Sequence, residues 1–242
     1  MNPRQAITKQ VHALLERETR INLHRFPIDI SNADGVVRLE GDVPDIAAKK
    51  LALELAASVP GVRGVVDRLR VIPGERRGDG AIRDSLAKFL LQEPEVRNCT
   101  LQFRAKGRTE VLRKIEQDGA GEIEFSVTEG VIVLEGHVIS QSHRRFAGVL
   151  AWWTPGTRDV VNALAVIPEY EDRDDEVTEV LCLVLEADPM VQEPEQIRPS
   201  CRNFVVTLEG SVPTDQQRER AELDAWYLSG VDRVINRLAV TR

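Results

Sequence analysis

One seven-residue phrase occurs three times in this chain, and its distance to a second phrase never changes. Gly35-Val-Val-Arg-Leu-Glu-Gly41, Gly130-Val-Ile-Val-Leu-Glu-Gly136 and Phe204-Val-Val-Thr-Leu-Glu-Gly210 align residue for residue. Downstream of them, Pro60-Gly-Val-Arg-Gly-Val-Val-Asp-Arg-Leu-Arg-Val71 matches Pro155-Gly-Thr-Arg-Asp-Val-Val-Asn-Ala-Leu-Ala-Val166. The third copy reads Ser229-Gly-Val-Asp-Arg-Val-Ile-Asn-Arg-Leu-Ala-Val240. From Gly35 to Gly61, Gly130 to Gly156 and Phe204 to Gly230 the separation is 26 residues each time. Register held across a variable segment marks a true internal repeat, so one structural unit must serve three sequences.

Each copy reads as the same order of elements. A helix comes first, with one apolar stripe formed by Ile7, Val11, Leu14 and Leu15. The stripe recurs as Ile82, Leu86, Phe89, Leu90 and as Val177, Leu181, Val184, Leu185. That i, i+4, i+7, i+8 spacing is one helix face. Two strands follow around a tight turn at Asp34-Gly35, Glu129-Gly130 or Asn203-Phe204, where glycine or asparagine suits positive φ. Val37, Leu39, Gly41 and Val43 alternate with polar residues, as a half-buried strand does. A second helix spans roughly 45–58, with small core-face residues Ala52 and Ala56, repeated as Ala147/Ala151 and Ala221/Ala225. A last strand, 65–71, closes the unit. The expectation is an α+β protein of three tandem α-β-β-α-β units, each with two helices on one face of a small mixed three-stranded sheet. The units are placed at 1–73, 79–168 and 174–242, joined by the charged linkers 73–80 and 168–175.

The middle copy is longer. Its first helix and turn glycine are 48 residues apart, from Ile82 to Gly130, against 28 in the first copy and 27 in the third. The surplus lies near 98–121 and predicts a short helix over 108–117. It is also the most basic stretch, with Arg104, Lys106, Arg108, Arg113 and Lys114.

This unit resembles the BON domain, on the glycine-bounded hairpin strand and the (P/S)G-x-x-x-V-(V/I)-(D/N)-x-L-x-V tail. The resemblance covers nearly the whole chain and implies the fold above. It further implies a binding module of bacterial osmotic-stress or envelope type, phospholipid being the ligand most often assigned and potassium a rarer one.

Chemistry-bearing motifs are absent. No phosphate loop, dinucleotide fingerprint, zinc-protease helix or nucleophile elbow occurs. The four histidines and three cysteines show no metal spacing, so no metal, cofactor or enzyme activity is expected. Cys99, Cys182 and Cys201 read as small apolar residues and His143 as a packed one. No apolar run approaches the ~20 residues of a membrane span. With no export signal in the sequence, a cytoplasmic location is expected, or a periplasmic one for a processed chain.

Charge separates the copies. Residues 1–73 carry +2, 74–168 are neutral and 169–242 carry −9. The third copy is therefore a poor match for nucleic acid or an anionic bilayer. Projected at ~100° per residue, the second helix of copy 2 puts Arg145, Val149 and Trp152 opposite its core side, flanked by Phe146 and Trp153; Arg144 and Arg145 beside the tryptophans are the cations that would suit an anionic interface. Copy 3 puts Glu219, Leu223, Trp226 and Tyr227 there. Copy 1 has Lys50, Glu54, Ala57 and Ser58, an ordinary solvated face. Exposed aromatics of this kind mark a contact. The expectation is a non-enzymatic binding or scaffold protein working through inter-repeat, self or protein–protein contacts. Peripheral binding to anionic phospholipid is the alternative, and cation binding by the acidic linker a third.

Overall fold

The computed structural model describes residues 3–117 and 119–241, in two compact units that meet at Ile72/Pro73. The first unit contains helix α1 (Pro3–Arg17), strands β1 (Ile28–Ala33) and β2 (Val36–Val43), helix α2 (Ile46–Ala57) and strand β3 (Gly64–Val71). β2 is central, antiparallel to β1 and parallel to β3, so the sheet is mixed as the repeat predicts. Val37, Leu39 and Val43 project to the helix side and meet Val11, Leu15, Ala52, Ala56 and Leu69 in a closed core. Alanines at 52 and 56 keep α2 close to the sheet. Asp45 starts α2 by accepting a hydrogen bond from the Ala48 amide at 2.8 Å, and Ser140 and Thr214 do the same for the two matching helices.

The glycine of each Leu-Glu-Gly phrase is required by the neighbouring strand. A Cβ on Gly41, Gly136 or Gly210 would stand 2.5, 2.3 and 1.9 Å from the carbonyl oxygens of Pro27, Glu122 and Gln196. Any larger residue there separates the first two strands of its unit.

The Asp or Asn of the tail phrase is likewise explained. Asp67, Asn162 and Asn236 each accept a bond at Oδ1 from the amide two residues on. Their other side-chain atom holds the second helix: Asp67 pairs with Lys49 at 2.8 Å, Asn162 donates to the Arg144 carbonyl at 2.7 Å and Asn236 to the Arg218 carbonyl at 3.0 Å.

The second unit holds two repeats. Helix α3 (Asp79–Gln92) leads into strands β4 (Cys99–Ala105), β5 (Arg108–Arg113), β6 (Gly121–Thr128) and β7 (Val131–Val138), helix α4 (Gln141–Trp153) and strands β8 (Asp159–Asn162) and β9 (Ala165–Val166). The third repeat follows as α5 (Asp174–Ala187), β10 (Ile197–Arg202), β11 (Val205–Val212), α6 (Asp215–Tyr227) and β12 (Arg233–Val240). Its sheet copies the first.

The insertion departs from expectation. The helix anticipated over 108–117 is instead the second arm of a hairpin, β4–β5, and β4 lies parallel to β6, extending the sheet to the order β5-β4-β6-β7-β8. Lys106 and Gly107 both have positive φ, at 51° and 74°, which is the two-residue turn of a twisted hairpin. That Lys-Gly pair, between the alternating Leu101, Phe103, Ala105 and the strand after it, was the local signal for strands.

The hairpin turns of copies 2 and 3 share a clasp. Asp79 accepts from the amides of Glu129 and Gly130 at 3.0 and 2.9 Å, and Asp174 from those of Asn203 and Phe204 at 2.6 and 2.9 Å. In copy 3 both turn residues are left-handed, Asn203 at φ 50° and Phe204 at φ 58°. A phenylalanine held there is strained, and the Asp174 bonds hold it in place. Those bonds also keep the Asp174 carboxyl below its ordinary pKa.

Candidate functional site

Helix α4 is enclosed on both sides. Its core side carries Ala147, Leu150 and Ala151. Its reverse side meets α5 and α6 of the third repeat within the same compact unit. Arg145, Phe146 and Val149 are at most 2% exposed, and Trp226 on α6 is 1% exposed. Leu223, Trp152, Trp153 and Tyr227 are half-buried.

Two adjacent tryptophans of α4 have separate tasks. Trp152 stacks on Tyr227 with ring centres 5.8 Å apart and planes 17° from parallel, within the range of favourable offset stacking. Trp153 donates its indole N–H to Asp224 Oδ1 at 2.9 Å, and the Arg220 guanidinium lies 5.5 Å from its ring centre. Arg220 in turn donates to Asp188 at the end of α5 and lies 3.5 Å from Asp224. The result is a buried knot of Asp188, Arg220, Asp224 and Trp153 across the two repeats. Burial raises the Asp224 carboxyl well above its ordinary pKa; Arg220 opposes the rise and Asp188 adds to it.

Arg145 makes the second crossing. Its Nε donates to the Ser229 carbonyl at 2.9 Å, and Nη2 pairs with Asp172 of the linker. The same linker is fixed by Tyr170, whose hydroxyl oxygen accepts from the Gln141 amide at 2.9 Å. Arg144 faces the other way, toward the Asn162 carbonyl at 3.5 Å.

The sequence pattern located the aromatic faces but not the acidic knot. Asp224 stands at the place of Leu55 in copy 1 and Leu150 in copy 2, and that substitution of an acid for a core leucine was the available signal.

The basic residues of the insertion are dispersed by the hairpin. Arg104 bonds Glu124 and lies 2.9 Å from Glu135 on the neighbouring strands. Arg113 donates to the carbonyls of Cys99 and Val96, closing the base of the hairpin. Lys114 pairs with Glu116 at 2.8 Å in solvent. Lys106 and Arg108 are exposed and have no ion pair among the described residues. Arg83 of α3 reaches over Phe103, 5.0 Å from the ring centre.

The other candidates are quiet. Cys99 is buried, Cys182 and Cys201 are half-buried and all three are free. Burial, reinforced by the neighbouring Asp174, pushes the Cys201 thiol up to about 12, which removes its nucleophilic form at neutral pH. His143 is half-buried with Nδ1 2.6 Å from Ser140 Oγ, and burial lowers its pKa. Among the described residues no three His, Cys, Asp or Glu side chains converge as a metal site. No helix of the described residues is long and apolar enough to cross a membrane.

Comparison with known proteins agrees with the repeat. The BON domain family matches residues 3–73, 105–168 and 173–242. The second match begins at the end of β4, inside the hairpin. No curated protein matches the chain. Among solved structures it is similar to the C-terminal domain of CdsD, a structural protein of the type III secretion system of Chlamydia trachomatis, at 14% identity. That alignment covers 97% of this chain and 96% of the other, with a TM-score of 0.26. A second structure of CdsD matches at 14% identity, covering 98% and 92%, with a TM-score of 0.25.

Proposed function

Since the chain belongs to the BON-domain family, a family of binding and scaffold modules, we propose that it is a non-enzymatic scaffold whose second and third repeats form one rigid body for protein contacts. One observation carries this reading. The aromatic faces that a lone BON unit would show to water are used up between repeats 2 and 3, in the Trp152–Tyr227 stack and the Trp153–Asp224 bond. The partner is then a protein or a second copy of this chain, met on surfaces outside that contact.

The lipid reading is the weaker one. Arg145, Phe146, Val149 and Trp226, which would carry it, are enclosed, and a bilayer cannot reach them without separating the repeats. The third repeat, at −9, also repels an anionic surface. Cation binding by the acidic linker is weakened in the same way, because Asp172 already pairs with Arg145.

Flotation with phosphatidylglycerol/cardiolipin and neutral vesicles, at low and high salt, separates these readings. The scaffold reading expects no flotation with either vesicle. Salt-sensitive flotation with anionic vesicles alone would replace it by the lipid reading. Light scattering of the intact chain across a concentration series then tells self-association from a need for another protein.

A further inference from the structure

The hairpin does more than widen a sheet. Its inner face and the first turns of α3 border two open clefts of about 500 and 460 Å³ that share Arg83, Ala105 and Lys106 as walls. Such space suits a small organic molecule and exceeds the needs of a bare ion. Phe103 forms an aromatic side of one cavity, with Arg108 beside it. Ser126 and Thr128 add hydroxyls to the other.

Charge at this place runs against the rest of the chain. Arg83, Arg104, Lys106 and Arg108 line the two cavities, and the acids among the lining residues are Asp79 and Glu110 alone. Asp79 is already engaged, each carboxylate oxygen accepting an amide of the β6–β7 turn. Arg104 is neutralised by Glu124 and Glu135, and Arg83 is partly satisfied by Asp84 at 2.6 Å. Lys106 and Arg108, at the mouth, have no such partner among the described residues. Set against the exposed Glu110 carboxylate, Lys106 and Arg108 leave one positive charge in excess beside an apolar wall, in a chain of net charge −7, which favours an anion locally. Guanidinium and ammonium together match a dianionic tetrahedral oxyanion better than a single carboxylate.

We infer that this cleft, built by the insertion of repeat 2, binds a small phosphate monoester whose compact apolar or aromatic group lies against Phe103 and Ala105. The phosphate sits between Lys106, Arg108 and Arg83. This inference does not depend on the contact between α4 and the third repeat, so either can fail without the other.

The test is calorimetric titration of the intact chain with phenyl phosphate, inorganic phosphate and phenol, at low ionic strength, together with flotation on phosphatidylglycerol vesicles. Phenyl phosphate should bind at least about tenfold more tightly than inorganic phosphate, and phenol not measurably. Lys106→Glu with Arg108→Glu should weaken phenyl phosphate at least about tenfold while the circular dichroism spectrum is retained; both side chains are exposed, so the fold should survive. Lys114→Glu, an exposed cation of the same insertion that lines neither cavity, should change binding less than about twofold. Equal affinity for phenyl phosphate and inorganic phosphate would overturn the inference, as would binding indifferent to the double variant. Vesicle binding that the double variant abolishes, with no phenyl phosphate binding, would reassign the cleft to a lipid headgroup and also overturn it.

Discussion

Helices α2 and α4 hold the same place in two copies of one unit, and their outer sides could hardly differ more. On α2 the residues Glu54, Ala57 and Ser58 are exposed. On α4 the matching residues are Val149, Trp152 and Trp153, and Val149 is fully enclosed. The core sides are nearly identical, alanine for alanine. The BON unit thus separates two jobs along one helix: small residues toward the sheet set the fold, and the opposite face is free to become solvent surface or interface. On α2 that face is exposed, and on α4 it is packed against the third repeat.

The comparison can be broken most severely at Trp226. Trp226→Ala should cost about 3–5 kcal/mol, the range for deleting a fully buried aromatic ring. Ala57→Ser, at the matching exposed place on α2, should stay within about 0.5 kcal/mol. Urea denaturation followed by far-ultraviolet circular dichroism measures both. Arg145→Ala should cost about 3 kcal/mol in the same assay, because it removes one partner of an enclosed ion pair and empties the space between α4 and the α6–β12 turn.

A smaller effect tests the ring contact itself. A double-mutant cycle of Trp152→Ala and Tyr227→Ala should give a coupling of about 1 kcal/mol; a coupling near zero would mean the two rings merely adjoin.

The least effect concerns pH. Because burial favours the protonated form of Asp224 in the fold, its stabilising contribution is complete below the ordinary aspartate pKa of about 3.9. That contribution is lost as pH rises through the raised folded value. All three tryptophans lie in the second unit, so their emission follows that unit alone. Its urea midpoint should rise as the pH is lowered from neutral toward the ordinary aspartate range, and Asp224→Asn should flatten the trend.

Much of this arrangement was legible in the chain. Strict spacing of Gly35, Gly130 and Phe204 to their downstream glycines gave the repeat, and helix periodicity gave the outward aromatics. What stayed hidden depended on distance in space. The segment 108–117 suggests a helix because Val111, Leu112 and Ile115 fall at i, i+1 and i+4, whereas the strand β5 covers only Arg108–Arg113. The Lys106–Gly107 turn decided between them, together with the free edge of β6 that β4 pairs with. The partners of Arg145, 27 and 84 residues away, follow from how two repeats dock rather than from any local pattern.

The central claim is that repeats 2 and 3 are joined through the end of α4. Hydrogen exchange by mass spectrometry on the intact chain, comparing wild type with Trp152→Ala/Trp153→Ser, tests it most directly. That variant gives α4 the residues that end α2. The expected result is lost protection in α6 and β12 of the unaltered third repeat, alongside α4, with β1–β3 of the first unit unchanged. Loss confined to α4, with the third repeat protected as before, would contradict the account.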